Sequence, residues 1–382
     1  MPSVAIIGSG PSGCYAAQAL AKARPDVSIT IFDALPVPYG LIRYGVAPDH
    51  QGTKAVIRQF ERLFERQGVR FAGNVTLGRD VTLEALRDGF DAVVLATGLH
   101  DDLRLGIAGE DLPGVHGSGA VTRAWNGWPG AEAPAIGRRV VVIGNGNVAV
   151  DLVRLLAKTP EEMEGSDLVL PPGTGVQEIT ITGRSPAEAA KFDPVMLREL
   201  GKLTDCAISV QDVSSGEGKT VEALQALDGH APEGARKRLT FRFGMTPARI
   251  LGQTAVEGVE FTDGTVIPAD TVVTAIGFDG ARAACDAEGV VAPGLYATGW
   301  CRRGPRGTIP ENRADAMAVA ARIAADLPEG PGKPGFAPDC ATGYDGWQRI
   351  DAAERTAAPE GRVRAKITTL AGLLALAKDG ET

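Results

Sequence analysis

Two glycine-rich segments of the sequence have the spacing that brings a polypeptide backbone against phosphate groups. The first, GSGPSG, contains Gly8, Gly10 and Gly13 between an apolar run and an Ala-rich stretch. In such a strand–turn–helix unit the first glycine allows a tight turn, the second admits a pyrophosphate, and the third lets the helix pack closely. Pro11 and Ser12 begin the helix, whose free amide groups and positive dipole end favour phosphate. These residues predict a dinucleotide site.

Asp33 supports that prediction because it ends the next predicted strand, twenty residues after Gly13. A carboxylate at this point accepts hydrogen bonds from a ribose. The alternative is a glycine-rich turn without a ligand, and the agreement of motif and context favours the dinucleotide. A site that accepts free riboses fits FAD.

The second segment, GNGNVA, contains Gly144, Gly146 and Ala149 and again lies between a predicted strand and a predicted helix. The strand that follows, Glu178–Thr182, leads into a glycine and Arg184. An acidic residue there would select a free 2′-hydroxyl, whereas an arginine suits a 2′-phosphate. The second site is therefore predicted to take NADP(H); the alternative is that Arg184 is an ordinary surface residue.

The order of elements predicts an α/β protein with two Rossmann-like dinucleotide-binding domains. Short apolar runs alternate with helical periodicity, including predicted helices over residues 53–66 and 314–327. The tripeptides ATG (96–98) and AIG (275–277) end two strands and are interpreted as crossings between domains. We expect an NAD(P)H-binding domain, residues 105–277, inserted into an FAD-binding domain formed by residues 1–104 and 278–382.

Composition limits the other function classes. The formal net charge of −8 argues against wholesale nucleic-acid binding, and no apolar run reaches the ~20 residues that span a membrane. The five cysteines are scattered, without CxxC or zinc-ligand spacing. They predict reduced thiols, no metal site and a cytoplasmic protein, and they disfavour a disulfide reductase.

Three longer stretches are similar to one family. They are GLIRYGVAPDH (40–50), GNGNVAVD (144–151) and GWCRRGPRGTIPENRADA (299–316). With them, the chain resembles the adrenodoxin-reductase-like ferredoxin–NADP reductases over nearly its whole length. The resemblance implies hydride transfer from NADPH to FAD, followed by transfer of single electrons to a 2Fe–2S ferredoxin.

The resemblance also implies which residues contact the cofactors. The helix that begins near Asn312 would direct its positive end toward the flavin, and the start of the second Rossmann helix would place amide groups on the NADP diphosphate. The implied cofactor contacts are Gly40, Leu41, Gly98, Asn147, Val148, Glu199, Gly299, Trp300, Gly307, Thr308 and Ile309. Trp300 either flanks the flavin or belongs to the core.

Three catalytic residues are implied near the nicotinamide: His50, Asp151 and Glu199. His50 could pair with Asp151 and tune protonation during electron transfer. It could equally be a structural cap of the turn at Pro48 and Asp49.

Several positions depart from the family's pattern. The family usually has two adjacent arginines for the 2′-phosphate, but the second is Ser185 here, which leaves room for NADH. Lys191 is a candidate for a compensating cation. Met196 replaces a glutamate, and Cys301 and Arg306 replace an apolar residue and a threonine, so the flavin surroundings and the acceptor could differ.

The expected partner is an acidic 2Fe–2S ferredoxin, with no nucleic acid and no membrane. A basic group could steer it: Arg198, Arg236, Lys237 and Arg238. The alternative is that these charges form an ordinary solvated face. The sequence specifies no oligomeric state.

The alternative function is an NAD(P)H-dependent flavoprotein that reduces a small molecule or another protein. Small subunits of glutamate-synthase type have similar paired units, but they usually carry cysteine-rich iron–sulfur segments that this sequence lacks. A monooxygenase would couple NADPH oxidation to oxygenation of a substrate. A third possibility is a binding module in which the flavin undergoes no redox reaction. The motifs GTI (307–309) and PDH (48–50) argue against it.

Overall fold

The computed structural model describes residues 1–211, 213, 217–307 and 309–378, with Ile309 described by its backbone alone. The chain divides into two compact units. The first comprises Met1–Asp101, Trp128–Gly130 and Phe278–Thr382, and the second Asp102–Gly127 and Ala131–Gly277. The sequence-based divisions were expected after residues 104 and 277.

The strands and helices are numbered in chain order. The strands are β1 (Ser3–Ile7), β2 (Ser28–Phe32), β3 (Arg70–Ala72), β4 (Ala92–Leu95), β5 (Asp101–Asp102), β6 (Val115–Gly117), β7 (Arg139–Ile143), β8 (Glu178–Thr182), β9 (Cys206–Val210), β10 (Lys237–Arg242), β11 (Pro247–Leu251), β12 (Gly258–Phe261), β13 (Val266–Pro268), β14 (Thr271–Thr274), β15 (Phe278–Asp279), β16 (Val290–Ala292) and β17 (Leu295–Ala297). The helices are α1 (Pro11–Ala23), α2 (Gly40–Tyr44), α3 (Gln51–Lys54), α4 (Ile57–Arg66), α5 (Leu83–Gly89), α6 (Ser118–Trp125), α7 (Asn147–Ala157), α8 (Pro194–Leu200), α9 (Lys219–Leu227), α10 (Trp300–Arg303), α11 (Ile309–Asp326), α12 (Tyr344–Thr356) and α13 (Leu370–Lys378).

The first unit is built around a six-stranded sheet in the order β16–β17–β4–β1–β2–β3. Neighbouring strands are parallel, except for the antiparallel pair β16 and β17. The strand β1 is apolar from Val4 to Ile7 because both of its faces are covered. Val4 and Ile6 lie in one core cluster, and Ala5 and Ile7 lie in another.

The second unit contains a six-stranded parallel sheet in the order β6–β14–β7–β8–β10–β9. A separate antiparallel sheet is formed by β11, β12 and β13. Buried side chains of the two sheets meet in one cluster, where Val141 and Ile143 of β7 join Val259 and Phe261 of β12.

The two glycine-rich loops occupy equivalent positions in the two sheets. One follows β1, which lies between β4 and β2, and the other follows β7, which lies between β14 and β8. The chain leaves each of these strands toward one side and returns later on the other, which is where open α/β sheets bind ligands. The predicted α/β class with two Rossmann-like units is confirmed.

One predicted helix is wrong in detail. The single helix expected over residues 53–66 is divided into α3 and α4. At the start of α4, the amides of Arg58 and Gln59 donate to carbonyls three residues earlier, at 3.1 and 3.0 Å. These carbonyls belong to Ala55 and Val56, which lie between the two helices. These shorter-range bonds make the turn tighter than an α-helix and interrupt it.

No helix in the described part of the chain is both long enough and apolar enough to cross a membrane. Within the same residues, no group of three or more His, Cys, Asp or Glu side chains is placed to hold a metal ion. The five cysteines are free thiols.

Candidate functional site

The first glycine loop has the geometry that its motif requires. A Cβ atom on Gly8, whose φ is +110°, would lie 2.4 Å from the carbonyl oxygen of Ala96, and one on Gly13 would lie 2.0 Å from that of Gly8. Gly10 differs, since its φ is −66° and no heavy atom lies within 4 Å of its Cβ position. The fold therefore needs the first and third glycines, whereas the second leaves open space for a ligand.

The helix α1 begins at this opening without a capping side chain. Gly10 is the N-cap residue, and Pro11 follows at the first helical position, where a missing amide hydrogen costs nothing. The remaining first-turn amides keep their capacity to bind an anion. Ser12 is buried, and its hydroxyl would lie 2.1 Å from a Cβ on Gly299, so only glycine allows these segments to approach.

Asp33 holds the loop in place from the end of β2. Its carboxylate accepts hydrogen bonds from the Ser9 amide at 3.0 Å, the Ser9 hydroxyl, and the Leu35 amide at 3.0 Å. Burial raises the pKa of Asp33, and these hydrogen bonds oppose the rise. A carboxylate offers about four acceptor positions, so one stays open to the ribose that the sequence predicts. Ser9 was not singled out from the motif.

Tyr39 and Gly40 pack against the second glycine of the loop. Tyr39 adopts a left-handed φ of +81°, which is strained for a bulky residue. Its amide donates to the carbonyl and the hydroxyl of Ser9, each at 3.2 Å. A Cβ on Gly40 would lie 3.1 Å from the Cα of Gly10, so the predicted contact residue Gly40 stands beside the opening. Leu41 follows with an exposed side chain.

The segment after β17 presents a buried donor without an acceptor. Asp315 of α11 accepts hydrogen bonds from the Thr298 hydroxyl at 2.9 Å and the Gly299 amide at 2.6 Å, which fixes the turn. Trp300 stacks on Phe278 with 5.6 Å between ring centroids. The indole Nε1 of Trp300 is buried and has no partner among the described residues. Because buried donors are normally satisfied, this atom fits contact with a flavin.

The other predicted flavin contacts lie on turns. Gly98 and Gly307 have φ angles of +72° and +89°, which favour glycine. The backbone of Ile309 begins α11, three residues before the expected start near Asn312. Thr308 lies outside the described residues.

The second glycine loop repeats the geometry of the first. A Cβ on Gly144, at φ +150°, would lie 2.2 Å from the carbonyl oxygen of Ala275, while the Cβ position of Gly146 has no heavy atom within 4 Å. Ala149 is fully buried where the first loop has its third glycine. The helix α7 begins at Asn147 and Val148 without a capping side chain. Each glycine loop therefore has an open space next to the uncapped start of a helix, a feature that favours phosphate binding.

The end of β8 fixes the backbone around Arg184. The carbonyl of Ser185 accepts hydrogen bonds from the Asn145 side chain at 3.3 Å and from the Gly244 amide at 3.1 Å. The side chain of Arg184 is exposed, and it makes no hydrogen bond or ion pair to any described residue. Its guanidinium is therefore free to bind a phosphate.

A buried arginine joins two of the predicted catalytic residues. Arg154 of α7 donates to the Asp151 carboxylate at 2.6 Å, and its Nε lies 3.5 Å from a carboxylate oxygen of Glu199 on α8. The Arg154 side chain is 3% exposed, against 24% for Asp151 and 34% for Glu199. The buried arginine therefore contacts both partly exposed carboxylates and keeps them close together. Its position, three residues after Asp151, was the signal available in the sequence.

His50 is the N-cap residue of α3, but its side chain makes no capping hydrogen bond there. Its amide donates to the carbonyl of Ala47 at 3.0 Å, and its carbonyl accepts from the amide of Lys54 at 3.1 Å. These main-chain hydrogen bonds contribute to holding the turn.

Two of the four basic residues expected to steer a partner are used internally. Arg236 forms an ion pair with Asp205 at 2.6 Å. Lys237 donates to the carbonyls of Leu156 and Lys158 at 2.8 and 3.1 Å, at the end of α7, and burial lowers its pKa. Arg198 and Arg238 are exposed, and their side chains make no hydrogen bond or ion pair to any described residue.

Known proteins resemble this chain along its length. The family profile described as pyridine nucleotide-disulphide oxidoreductase matches residues 2–195. A cindoxin reductase of Citrobacter braakii is 43% identical, with 99% of this chain and 92% of that protein covered. The NADPH-ferredoxin reductase FprA of Mycobacterium tuberculosis is 33% identical, with 97% and 98% covered.

Solved structures have the same fold. The structure of Mycobacterium tuberculosis FprA in complex with NADPH superimposes with a TM-score of 0.86 at 30% identity and covers 99% of this chain and 100% of that chain. A thioredoxin reductase of Lactococcus lactis, at 19% identity, has a TM-score of 0.53 over 85% of this chain and 99% of its own, which reflects the fold alone. From the matching profile and from relatives at 43% and 33% identity, this chain belongs to the ferredoxin–NADP reductase family of pyridine nucleotide-disulphide oxidoreductases.

Proposed function

We propose that the protein is an FAD-dependent NAD(P)H:ferredoxin oxidoreductase. The observation that carries the proposal is the repeated loop geometry, with space beside Gly10 and Gly146 above helix starts that no side chain caps. Two such openings suit two dinucleotides, one in each unit. The unit that contains Gly10 is assigned to FAD, and the unit that contains Gly146 to NADPH.

The residues of the first unit fit FAD. The amides at the start of α1 would bind the diphosphate, the free acceptor position of Asp33 a ribose, and the unpartnered Nε1 of Trp300 the ring system. FAD supplies the chemistry that converts a two-electron hydride donor into a source of single electrons. Gly98, Gly299, Gly307, Thr308 and Ile309 are further expected contacts.

The residues of the second unit favour NADPH and allow NADH. Arg184 is the free cation expected at the 2′-phosphate, and Ser185 contributes no second charge. A single arginine gives a smaller preference for the phosphorylated nucleotide than a pair would give.

Three residues are proposed at the reacting end of the nicotinamide. Arg154 contacts the carboxylates of Asp151 and Glu199 and fixes both in one place. His50, which the family resemblance implies near the nicotinamide, is proposed as the third catalytic residue.

The proposed partner is an acidic 2Fe–2S ferredoxin. The name of one relative, the NADPH-ferredoxin reductase FprA, supports a ferredoxin as acceptor. The exposed residues Arg198 and Arg238 are proposed to steer it. The second candidate, reduction of a different redox protein, rests on the 43% identity to the cindoxin reductase.

The acceptor is tested by mixing purified enzyme, NADPH and an acidic 2Fe–2S ferredoxin without oxygen. We expect the ferredoxin spectrum to bleach at a rate proportional to enzyme concentration, with NADPH alone as the control. If ferricyanide is reduced rapidly while the ferredoxin stays oxidised, the ferredoxin assignment is wrong and the flavin reductase assignment stands.

A further inference from the structure

Lys191 lies beside the opening of the second glycine loop. Lys191 and Gly146 form an isolated parallel β-bridge, and the Lys191 amide donates to the carbonyl of Asn145 at 2.8 Å. Two residues later, the Asp193 amide donates a second hydrogen bond between these segments, to the Asn147 side chain at 2.7 Å. These bonds fix the backbone of Lys191 next to the space at Gly146, where no heavy atom lies within 4 Å of the Cβ position.

The ammonium group of Lys191 is available to a ligand. The residue is exposed, and within the described part of the chain its side chain makes no hydrogen bond or ion pair. A lysine carries its charge on a flexible four-carbon stem. The stem allows the ammonium to fold over the neighbouring opening.

The position of Lys191 identifies which phosphate it would meet. Arg184 follows the end of β8, where the 2′-phosphate of the adenine ribose is expected. Glu199 is the residue proposed at the nicotinamide end. Lys191 lies between them in sequence and pairs with Gly146, the glycine that admits the diphosphate. The diphosphate is therefore the nearer anion, and the 2′-phosphate is the farther one.

We infer that Lys191 binds the diphosphate common to NADPH and NADH, an inference that rests on the proposed function. Lys191 is thus not a replacement for the arginine missing at Ser185. It strengthens binding of both nucleotides to the same degree, and Arg184 alone separates them. The ligand class of the Lys191 contact is a nucleoside 5′-diphosphate.

The test measures equilibrium binding to the oxidised FAD-loaded protein by calorimetry. Four ligands separate the phosphates: NADP⁺, NAD⁺, ADP, which has the diphosphate alone, and adenosine 2′-monophosphate, which has the 2′-phosphate alone. Lys191→Gln is expected to weaken NADP⁺, NAD⁺ and ADP about tenfold, the value of one charge-assisted hydrogen bond, and to leave adenosine 2′-monophosphate unchanged. Arg184→Gln is expected to do the reverse, weakening NADP⁺ and adenosine 2′-monophosphate only.

Two controls keep the result specific. Lys202→Gln removes an exposed lysine just after α8 and should change no affinity, and Lys191→Arg should retain most of the binding. All variants should keep the FAD content and the melting temperature of the wild type, because the altered side chains are exposed.

Two outcomes would overturn the inference, and they differ in what else they reject. If wild-type protein binds NADP⁺ and NAD⁺ but Lys191→Gln leaves NAD⁺ and ADP unchanged, the inference alone fails. A loss confined to NADP⁺ and adenosine 2′-monophosphate would move Lys191 to the 2′-phosphate. If the wild type binds neither NADP⁺ nor NAD⁺, the proposed function fails as well.

Discussion

At the scale of single residues, the three glycines of each motif have different tasks. Gly8 and Gly13 are required by the protein itself, since a methyl group on either would overlap a carbonyl oxygen. Gly10 is required only by something that occupies the space beside it. The division separates stability from ligand binding and can be tested by adding one methyl group at a time.

We predict that Gly10→Ala folds normally but loses FAD, because the methyl group fills the opening at an ordinary φ of −66°. The affinity should fall at least about tenfold, the value of one charge-assisted phosphate contact. The matched variant Gly8→Ala must place a side chain at φ +110° and 2.4 Å from Ala96, which costs more than about 1–2 kcal/mol of stability. Flavin absorbance per protein and thermal melting distinguish the two. Equal FAD content in Gly10→Ala and wild type would exclude the predicted diphosphate position.

Residue-level chemistry was only partly accessible from the sequence. The loop positions of the glycines and the strand-end positions of Asp33 and Arg184 could be predicted because each occupies a fixed place in a strand–turn–helix pattern. The cofactor contacts of these residues stay predictions. For Arg154, the spacing from Asp151 could predict their pairing. Its contact with Glu199 could not be predicted, because α8 brings together two residues that are far apart in sequence. Ser9 likewise acts through Asp33, a partner on the next strand.

At the scale of elements, a buried charge network connects α2 and α12 of the first unit. Arg43 of α2 and Glu354 of α12 form an ion pair with both side chains almost fully buried. Arg364 donates to the second oxygen of Glu354 at 3.1 Å, and Lys366 donates to the carbonyl of Arg43 at 3.1 Å. Glu354 thus compensates the positive charges that the network buries. Removing one member of a buried pair leaves the others uncompensated.

We predict that Glu354→Gln lowers the free energy of unfolding by about 3–5 kcal/mol near neutral pH. Burial would raise the pKa of Glu354, but the charge and hydrogen bond of Arg43 outweigh it and lower the pKa below the ordinary 4.5. The wild type therefore has this stabilisation above pH 4.5 and loses it as the pH falls further. Urea denaturation at several pH values should show the difference between wild type and variant shrinking in acid. A difference that stays constant would contradict the assignment.

The exposed pair Arg24–Asp26 provides the control for the buried one. Asp26→Asn should change the free energy of unfolding much less than Glu354→Gln, because exposed ion pairs contribute little.

Short elements such as β3 could not be predicted from the sequence, for physical reasons. The strand β3 has three residues, one of them an exposed arginine, and lies at the edge of its sheet, so its sequence carries no clear apolar period. The central strands β1 and β7 are covered on both faces and read as continuous apolar runs. Because both faces of these strands are buried, their apolar runs could be recognised in the sequence.

At the scale of the whole molecule, charge governs the encounter with a partner. The net charge of −8 would repel an acidic ferredoxin at long range. Productive docking then depends on local positive groups. Arg236 is paired with Asp205, and Lys237 is bonded to carbonyls at the end of α7. Arg198 and Arg238 are therefore the members of the expected basic group whose side chains have no partner among the described residues.

We predict that the double variant Arg198→Gln with Arg238→Gln raises the KM for an acidic ferredoxin severalfold at low salt. The effect should disappear near physiological ionic strength and above, where the Debye length falls to about 8 Å or less. The control removes two exposed arginines of α4, Arg62→Gln with Arg66→Gln, which should leave the KM unchanged. Equal effects of both double variants would show that net charge alone sets the rate.

The most direct test of the account is an anaerobic titration of the purified protein with NADPH and, separately, NADH, followed by visible absorbance. We predict a yellow protein whose flavin absorbance is bleached by both nucleotides. NADPH should act at lower concentrations than NADH, because Arg184 is proposed to bind the 2′-phosphate. If the two nucleotides bleach the flavin at equal concentrations, the proposed role of Arg184 is wrong, but the assignment as a reductase stands. A yellow protein bleached by neither nucleotide would contradict the central claim.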